Sequence, residues 1–339
     1  MADVLIVAGE PSGEEHALSF LPRLKELRPE LRFWGVGGDR LQAEGMELKH
    51  HLRDFSSMGF SEVVGKVPFY RRALLDLVAE ARSRGTRDAI LVDFQDFNLR
   101  LAQRLAKNGV RVWYYVAPQA WGWRAYRAGI LARTVQRLFT VLPFEEAWFR
   151  ERGVAQVTPV PHPLITNWAG PLTRLPVRPW EPRLRTAPRL MVLPGSRLSE
   201  VRPLLPLFVR AVRELRTHCP GLQVTIARVP HLDGAWYDVA SSEVDRWITP
   251  EELPEALLTC DLALAASGTV TLGTGLMGVP TVVAYQSSLL NEFVLRRLIR
   301  YDKPISLTNL VLGERVFPEY TQAEVQPSIL VEAMLRWLR

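Results

Sequence analysis

An alternation that runs twice through the chain constrains it most. Largely apolar runs, most of them ending in glycine or proline turns, occupy 4–9 (VLIVAG), 32–38, 88–93 (DAILVD), 111–118 and 137–144 (RLFTVLPF). Between them, 16–28, 69–84 and 98–109 have helical apolar spacing. Runs without polar alternation belong to strands covered on both faces, and strand–helix–strand order builds a parallel sheet. Residues 165–187 are proline-rich and aperiodic, which marks a connector. The alternation then resumes through 189–197, 202–215, 222–229, 261–267 and 280–286. With 339 residues, more than one core is expected. The expected fold class is α/β: two Rossmann-like domains facing across a cleft, with ligands beyond the carboxyl ends of the strands. The expected boundaries are 1–165, a linker at 166–187, a second domain at 188–325, and a helix at 326–339 returning to the first domain or to a partner.

The strand ends carry the candidate chemistry. The first empties into GEPSGEEHA (9–17), where Gly9 and Gly13 allow a sharp turn. Ser12 or Glu14 is placed to cap a helix starting near His16. Glu10 precedes that cap; it points into the cleft toward a sugar hydroxyl, or it braces the loop. In VDFQDFN (92–98), Asp96 follows a buried strand and is a candidate general base, or else a helix cap. APQAWGWRAYR (117–127) crowds tryptophans and arginines, among them Trp123 and Arg124, into a turn, and His162 lies between prolines in VPHPL. In the second half, GSRLSEVRP (195–203) and ASGTVTLGTGLMGVP (266–280) are glycine turns feeding helices. Gly195, Ser196 and Arg197, with Ser267, Gly268 and Thr269, are expected to face a diphosphate; ordinary capped turns are the alternative. At 55–75, Met58, Phe60, Val64, Val67 and Phe69 sit near Lys66, Arg71 and Arg72. They form either an apolar patch with basic flanks, suited to acyl chains beside phosphates, or a buried helix with a polar rim.

The formal net charge of +6 favours anionic partners, but it is spread along the chain without a nucleic-acid signature, so nucleic acid is not expected. Cys219 and Cys260 have no metal-type spacing, and no clustered histidines or DxD occur, so neither a metal nor a cofactor is expected. No secretory signal and no stretch of about 20 apolar residues is found, which makes a cytoplasmic location the expectation. Nothing in the pattern specifies an oligomeric state.

Taken in order, AGEPSGE (8–14), GVGGDRLQAEG (35–45), MGFSEVV (58–64), DFQDFN (93–98), YVAPQAWGWR (115–124), LPFE (142–145), HPL (162–164), LPGSRLSE (193–200), ASGTVTL (266–272) and SLTNLVLGERVFPEYTQ (306–322) resemble the lipid-A-disaccharide synthase family. These are inverting glycosyltransferases of the GT-B class (family GT19). The resemblance implies transfer of 2,3-diacylglucosamine from its UDP donor to 2,3-diacylglucosamine 1-phosphate, giving a β-1,6 disaccharide and UDP. It implies acylated UDP-sugar and acylated glucosamine phosphate as partners, and peripheral contact with the anionic inner-membrane surface. It assigns catalysis to Asp96 and Glu10, and donor binding to Arg197, Gly195, Ser196, Glu200, Ser267, Gly268, Thr269 and Asn309. Ser12, Trp123, Arg124 and His162 would line the acceptor side. The sequence departs from the family at Glu14 (usually aspartate), Pro161 (usually glycine) and Gly273 (usually a glutamate, which in related enzymes holds ribose hydroxyls). The rival readings are a related UDP-sugar transferase or epimerase with another substrate, and a catalytically weak lipid- or nucleotide-binding relative.

Overall fold

The computed structural model describes residues 2–55, 60–175, 187–286 and 303–338. It divides into two compact units, Met1–Asn167 and Trp168–Arg339. In the first unit the strands are β1 (Ala2–Ala8), β2 (Leu31–Gly37), β3 (Glu47–His51), β4 (Asp88–Val92), β5 (Arg111–Tyr115), β6 (Arg137–Thr140) and β7 (Val157–Pro159). They form one parallel sheet in the order β3-β2-β1-β4-β5-β6-β7. The chain winds outward from β1 to β3, then returns to place β4 against the other side of β1. The order therefore reverses between β1 and β4, and a crevice opens beyond the carboxyl ends of strands at such a point. Leu5, Val7, Leu91, Val112 and Leu138 are fully buried in the sheet. The helix Gln95–Lys107 covers one face with Phe97, Leu101, Ala102 and Leu105, at the three- and four-residue spacing that keeps side chains on one helical stripe.

The second unit repeats the plan with β8 (Arg189–Leu193), β9 (Gln223–Ala227), β10 (Arg246–Ile248), β11 (Leu262–Ala266), β12 (Thr281–Tyr285) and β13 (Glu319–Thr321). Their order is β10-β9-β8-β11-β12-β13, all parallel, with the reversal between β8 and β11. The long helix Leu198–His218 buries Val201, Leu205, Phe208, Val212 and Leu215 against this sheet.

Two expectations change here. The apolar face of the C-terminal helix Pro327–Leu338, expected to return to the first domain or a partner, packs within the second unit. Leu330, Val331, Met334 and Leu338 are buried in the second unit's own core, against the helix Leu198–His218 and the sheet. Of the expected linker, 176–186 lies outside the described residues, and Ala169–Thr173 within it is a short helix.

Candidate active site

At the reversal in the first unit, the turns after β1 and β4 lie side by side. A Cβ at Gly9 would come within 2.8 Å of the Phe94 ring, so glycine is what allows that ring to lie on the first turn. Asp93 and Phe94 both have φ of 46°, and Val116, in the turn after β5, has φ of 63°. Left-handed backbone at non-glycine residues is strained and concentrates where function demands it. Other groups hold the strained turn in place. The Asp93 carbonyl accepts from Tyr114 Oη at 2.8 Å and from Asn98 Nδ2 at 2.9 Å, and Asn98 also reaches the Val92 and Val7 carbonyls. Asn98 is fully buried and thus ties the ends of β1 and β4 together.

This turn presents Asp96 in the first turn of its helix, with its side chain 66% exposed. Asp96 does not act as a cap, because the helix starts at Gln95 with Phe94 in the capping position. Two arginines grip its carboxylate. Arg124 Nη1 donates to Oδ1 at 2.7 Å and Oδ2 at 2.8 Å, and Arg127 Nη2 donates to Oδ1 at 2.6 Å. Arg127 Nη1 also donates to Gln95 Oε1.

The turn after β1 is built differently from the expectation. The helix begins at Pro11, not near His16, because the ring of proline suits the first helical position. Glu10 therefore occupies the capping position with extended backbone, and its side chain does not cap. Ser12 is exposed in the first turn and caps nothing. Glu14 is buried and reaches across to another element, accepting from the Gly38 and Leu41 amides at 2.9 and 3.0 Å. It thus satisfies the start of the helix Asp39–Ala43. One turn further on, His16 stands edge-to-face with His162, ring centroids 5.9 Å apart. Burial holds both imidazoles down to about 4, and the neighbouring His16 adds to the effect at His162. His162 is 6% exposed, so it is packed within the unit rather than open to a ligand.

The tryptophan-rich turn is partly core. Trp121 is buried and donates to Glu145 Oε1 at 3.0 Å, while Glu145 Oε2 accepts from the Val141 and Leu142 amides. Burial pushes the Glu145 carboxyl up to about 7. Neither this brace nor Arg127 was assigned a role from the sequence. The Trp123 side chain lies outside the described residues.

The expected lipid patch divides. Met58 and the side chains of Phe60 and Val64 lie outside the described residues. Val67 is 55% exposed on the helix Phe60–Ser83, in line with exposed Arg71 and Leu75 one and two turns on. Phe69 is half-buried in an aromatic cluster with Phe55, Tyr70 and His50, so it belongs to the core.

At the reversal in the second unit, Gly195 has φ of 113°, and a Cβ there would lie 2.6 Å from Glu200 Cβ. Glu200 folds back to accept from the Ser196 and Arg197 amides at 2.9 and 3.3 Å. Those amides hold an internal carboxylate, which corrects the expectation that they and Glu200 face a ligand. The Arg197 side chain is 64% exposed, 3.7 Å from Glu200. The turn after β11 is more open. Gly268 is the capping residue of the helix Thr269–Leu276, and among the described residues no side chain caps it and, its chain neighbours aside, no heavy atom lies within 4 Å of a Cβ built there. The Ser267 hydroxyl donates to the Ile305 carbonyl at 2.7 Å and is committed to the fold.

Asn309 is another correction. It is fully buried, with Nδ2 donating to the Phe317 carbonyl and Glu319, and Oδ1 accepting from the Phe317 amide. It shapes the approach to β13 and is not placed to touch a ligand. Gly273 has a packing cause: an added Cβ would sit 2.7 Å from Trp168 Cζ3, so the indole fills the space a side chain would take.

Two parallel α/β units, each with its turns gathered at a strand-order reversal, define the class: the architecture of GT-B glycosyltransferases and nucleotide-sugar epimerases. Solved structures share it. A Neisseria meningitidis UDP-GlcNAc 2-epimerase bound to UDP-GlcNAc matches with a TM-score of 0.60 at 11% identity, over 99% of this chain and 90% of that one. An S. aureus MnaA–UDP co-structure matches at 0.63 and 11%, over 99% and 88%. The lipid-A-disaccharide synthetase family model (LpxB) matches residues 4–338. The lipid-A-disaccharide synthase of Myxococcus xanthus is 40% identical over 99% of this chain and 88% of its own length, and that of Anaeromyxobacter dehalogenans is 38% identical over the same shares. The chain belongs to the lipid-A-disaccharide synthase family and is a glycosyltransferase.

Proposed function

We propose that the protein transfers 2,3-diacylglucosamine from its UDP donor to 2,3-diacylglucosamine 1-phosphate, the first unit taking the acceptor and the second the donor. The observation that carries the reading is Asp96, exposed at the strand-order reversal and held there by cations. Its Oδ1 accepts from both arginines, whereas among the described residues Oδ2 accepts from Arg124 alone. A carboxylate oxygen has two lone-pair directions, so Oδ2 keeps room for the proton of an incoming hydroxyl. The acceptor 6-hydroxyl gives its proton to Asp96, its oxygen bonds to the anomeric carbon, and the bond to UDP breaks on the opposite face. Arg197 and the uncapped helix start at Gly268 and Thr269 take the charge of the departing diphosphate. Glu10, half-buried at the head of its helix, meets a sugar hydroxyl.

The exposed row Val67, Arg71, Leu75 supports peripheral docking on an anionic membrane, apolar groups entering and arginines pairing with headgroups. Among the described residues, no helix is long and apolar enough to cross a membrane. The test is UDP release. It should require both lipid substrates and be matched mole for mole by lipid disaccharide. Release from the donor alone would point to an epimerase-like or hydrolytic relative, and no release to a binding protein.

A further inference from the structure

We infer that Arg127 is the positioning residue for Asp96, fixing the carboxylate that receives the acceptor proton; this rests on the reading of Asp96 as the base. Arg127 lies in the helix Tyr126–Thr134, and its side chain is 3% exposed. Its two terminal nitrogens donate to adjacent residues, Gln95 and Asp96, and that pair of bonds fixes the guanidinium plane. Among the described residues, its Nε is buried without a hydrogen-bond partner. Among the described residues, Asp96 pairs with it directly, Arg124 shares that carboxylate, and the buried Tyr114 hydroxyl feels Arg127 together with Asp93 and Asp96.

As a device for stability this arrangement is poor. A buried guanidinium loses its hydration, and the carboxylate that answers it is itself 66% exposed, where an ion pair is worth little. An apolar side chain would fill the same space without an unpartnered nitrogen. As a device for catalysis it is well placed. Arg124 holds Asp96 from a side chain 28% exposed, whereas Arg127 is embedded and approaches from a neighbouring helix. The strained residues Asp93, Phe94 and Val116 flank the same two turns. The embedded arginine sets the side-chain angle of Asp96 while leaving the carboxylate exposed to the acceptor.

A double-variant cycle with Arg127→Gln and Asp96→Asn tests this, using UDP release by the full chain and the melting temperature of each variant. Misplacing a reacting group by an ångström costs on the order of 10²-fold in rate. Arg127→Gln should therefore lower kcat by about that factor, with the acceptor KM changed less than about threefold. In the Asp96→Asn background it should cost nothing further, because the group it positions is already gone. Arg127→Lys, which cannot bridge Gln95 and Asp96 together, should fall between and serves if the glutamine variant unfolds. Losses that multiply in the double variant, or an unchanged kcat per folded molecule, would overturn the inference while leaving Asp96 as base. A near-normal rate for Asp96→Asn alone would overturn both.

Discussion

The paired imidazoles of the first unit make a prediction whose size follows from their surroundings. His16 and His162 are held near 4 by burial, against about 6.5 in an unfolded chain. Among the described residues His16 Nδ1 is buried without a partner, so a proton there would place a charge in a site that cannot solvate it. Between these values the unfolded chain binds more protons than the folded one, so stability is lost as pH falls through 6.5 toward 4. For one such group the loss between about pH 7.5 and pH 5 is about 2 kcal/mol. Glu145, raised to about 7, has the opposite sign: the folded state binds its proton more tightly, and stability is gained as pH falls from 7 toward 4.5, again by about 2 kcal/mol. The two effects partly cancel in the wild type, and single variants separate them. In equilibrium urea unfolding at the two pH values, His16→Leu should shrink the acid loss by about 2 kcal/mol, and Glu145→Gln should enlarge it by a similar amount. If His16→Leu leaves the pH dependence where it was, the buried neutral pair is wrong.

Asn309→Ala leaves the Phe317 amide and carbonyl without their partner, so the melting temperature should fall, by on the order of 3 kcal/mol of stability. Donor KM of the folded fraction should stay put; a raised KM at full stability would return Asn309 to the donor site. Val67→Ser should weaken binding to anionic liposomes without altering the melting temperature, while Phe69→Ser should destabilise by about 3 kcal/mol through the aromatic cluster. Equal behaviour of the two variants would refute that division. Gly273→Glu should destabilise by roughly 1–3 kcal/mol by crowding Trp168, and adding Trp168→Ala should relieve the crowding; no interaction between the two changes in a thermal cycle would refute the packing cause.

The placement of the candidate site's turns at strand ends was legible because largely apolar runs mark parallel strands, and ligands gather where such strands end. The turns holding Gly9, Asp96, Arg197 and Gly268 were all found that way. What escaped depends on contacts that sequence distance hides. Arg127 meets Asp96 across 31 residues, and Trp121 meets Glu145 across 24, so only the packed sheet brings them together. Asn309 was misassigned because the resemblance matches it to a polar cleft position, and its sequence does not reveal that the Phe317 backbone and Glu319 engage its amide. The early helix start was written in Pro11, whose ring favours the first helical position; the acids after it drew the eye to a later cap.

The role of Asp96 is tested most directly by the steady-state rate of UDP release from the two lipid substrates by Asp96→Asn, beside wild type of matched melting temperature. The exchange is nearly isosteric and removes the proton acceptor, so the rate should fall by roughly 10²–10⁴. A rate close to wild type from a folded Asp96→Asn protein would contradict the account at its centre.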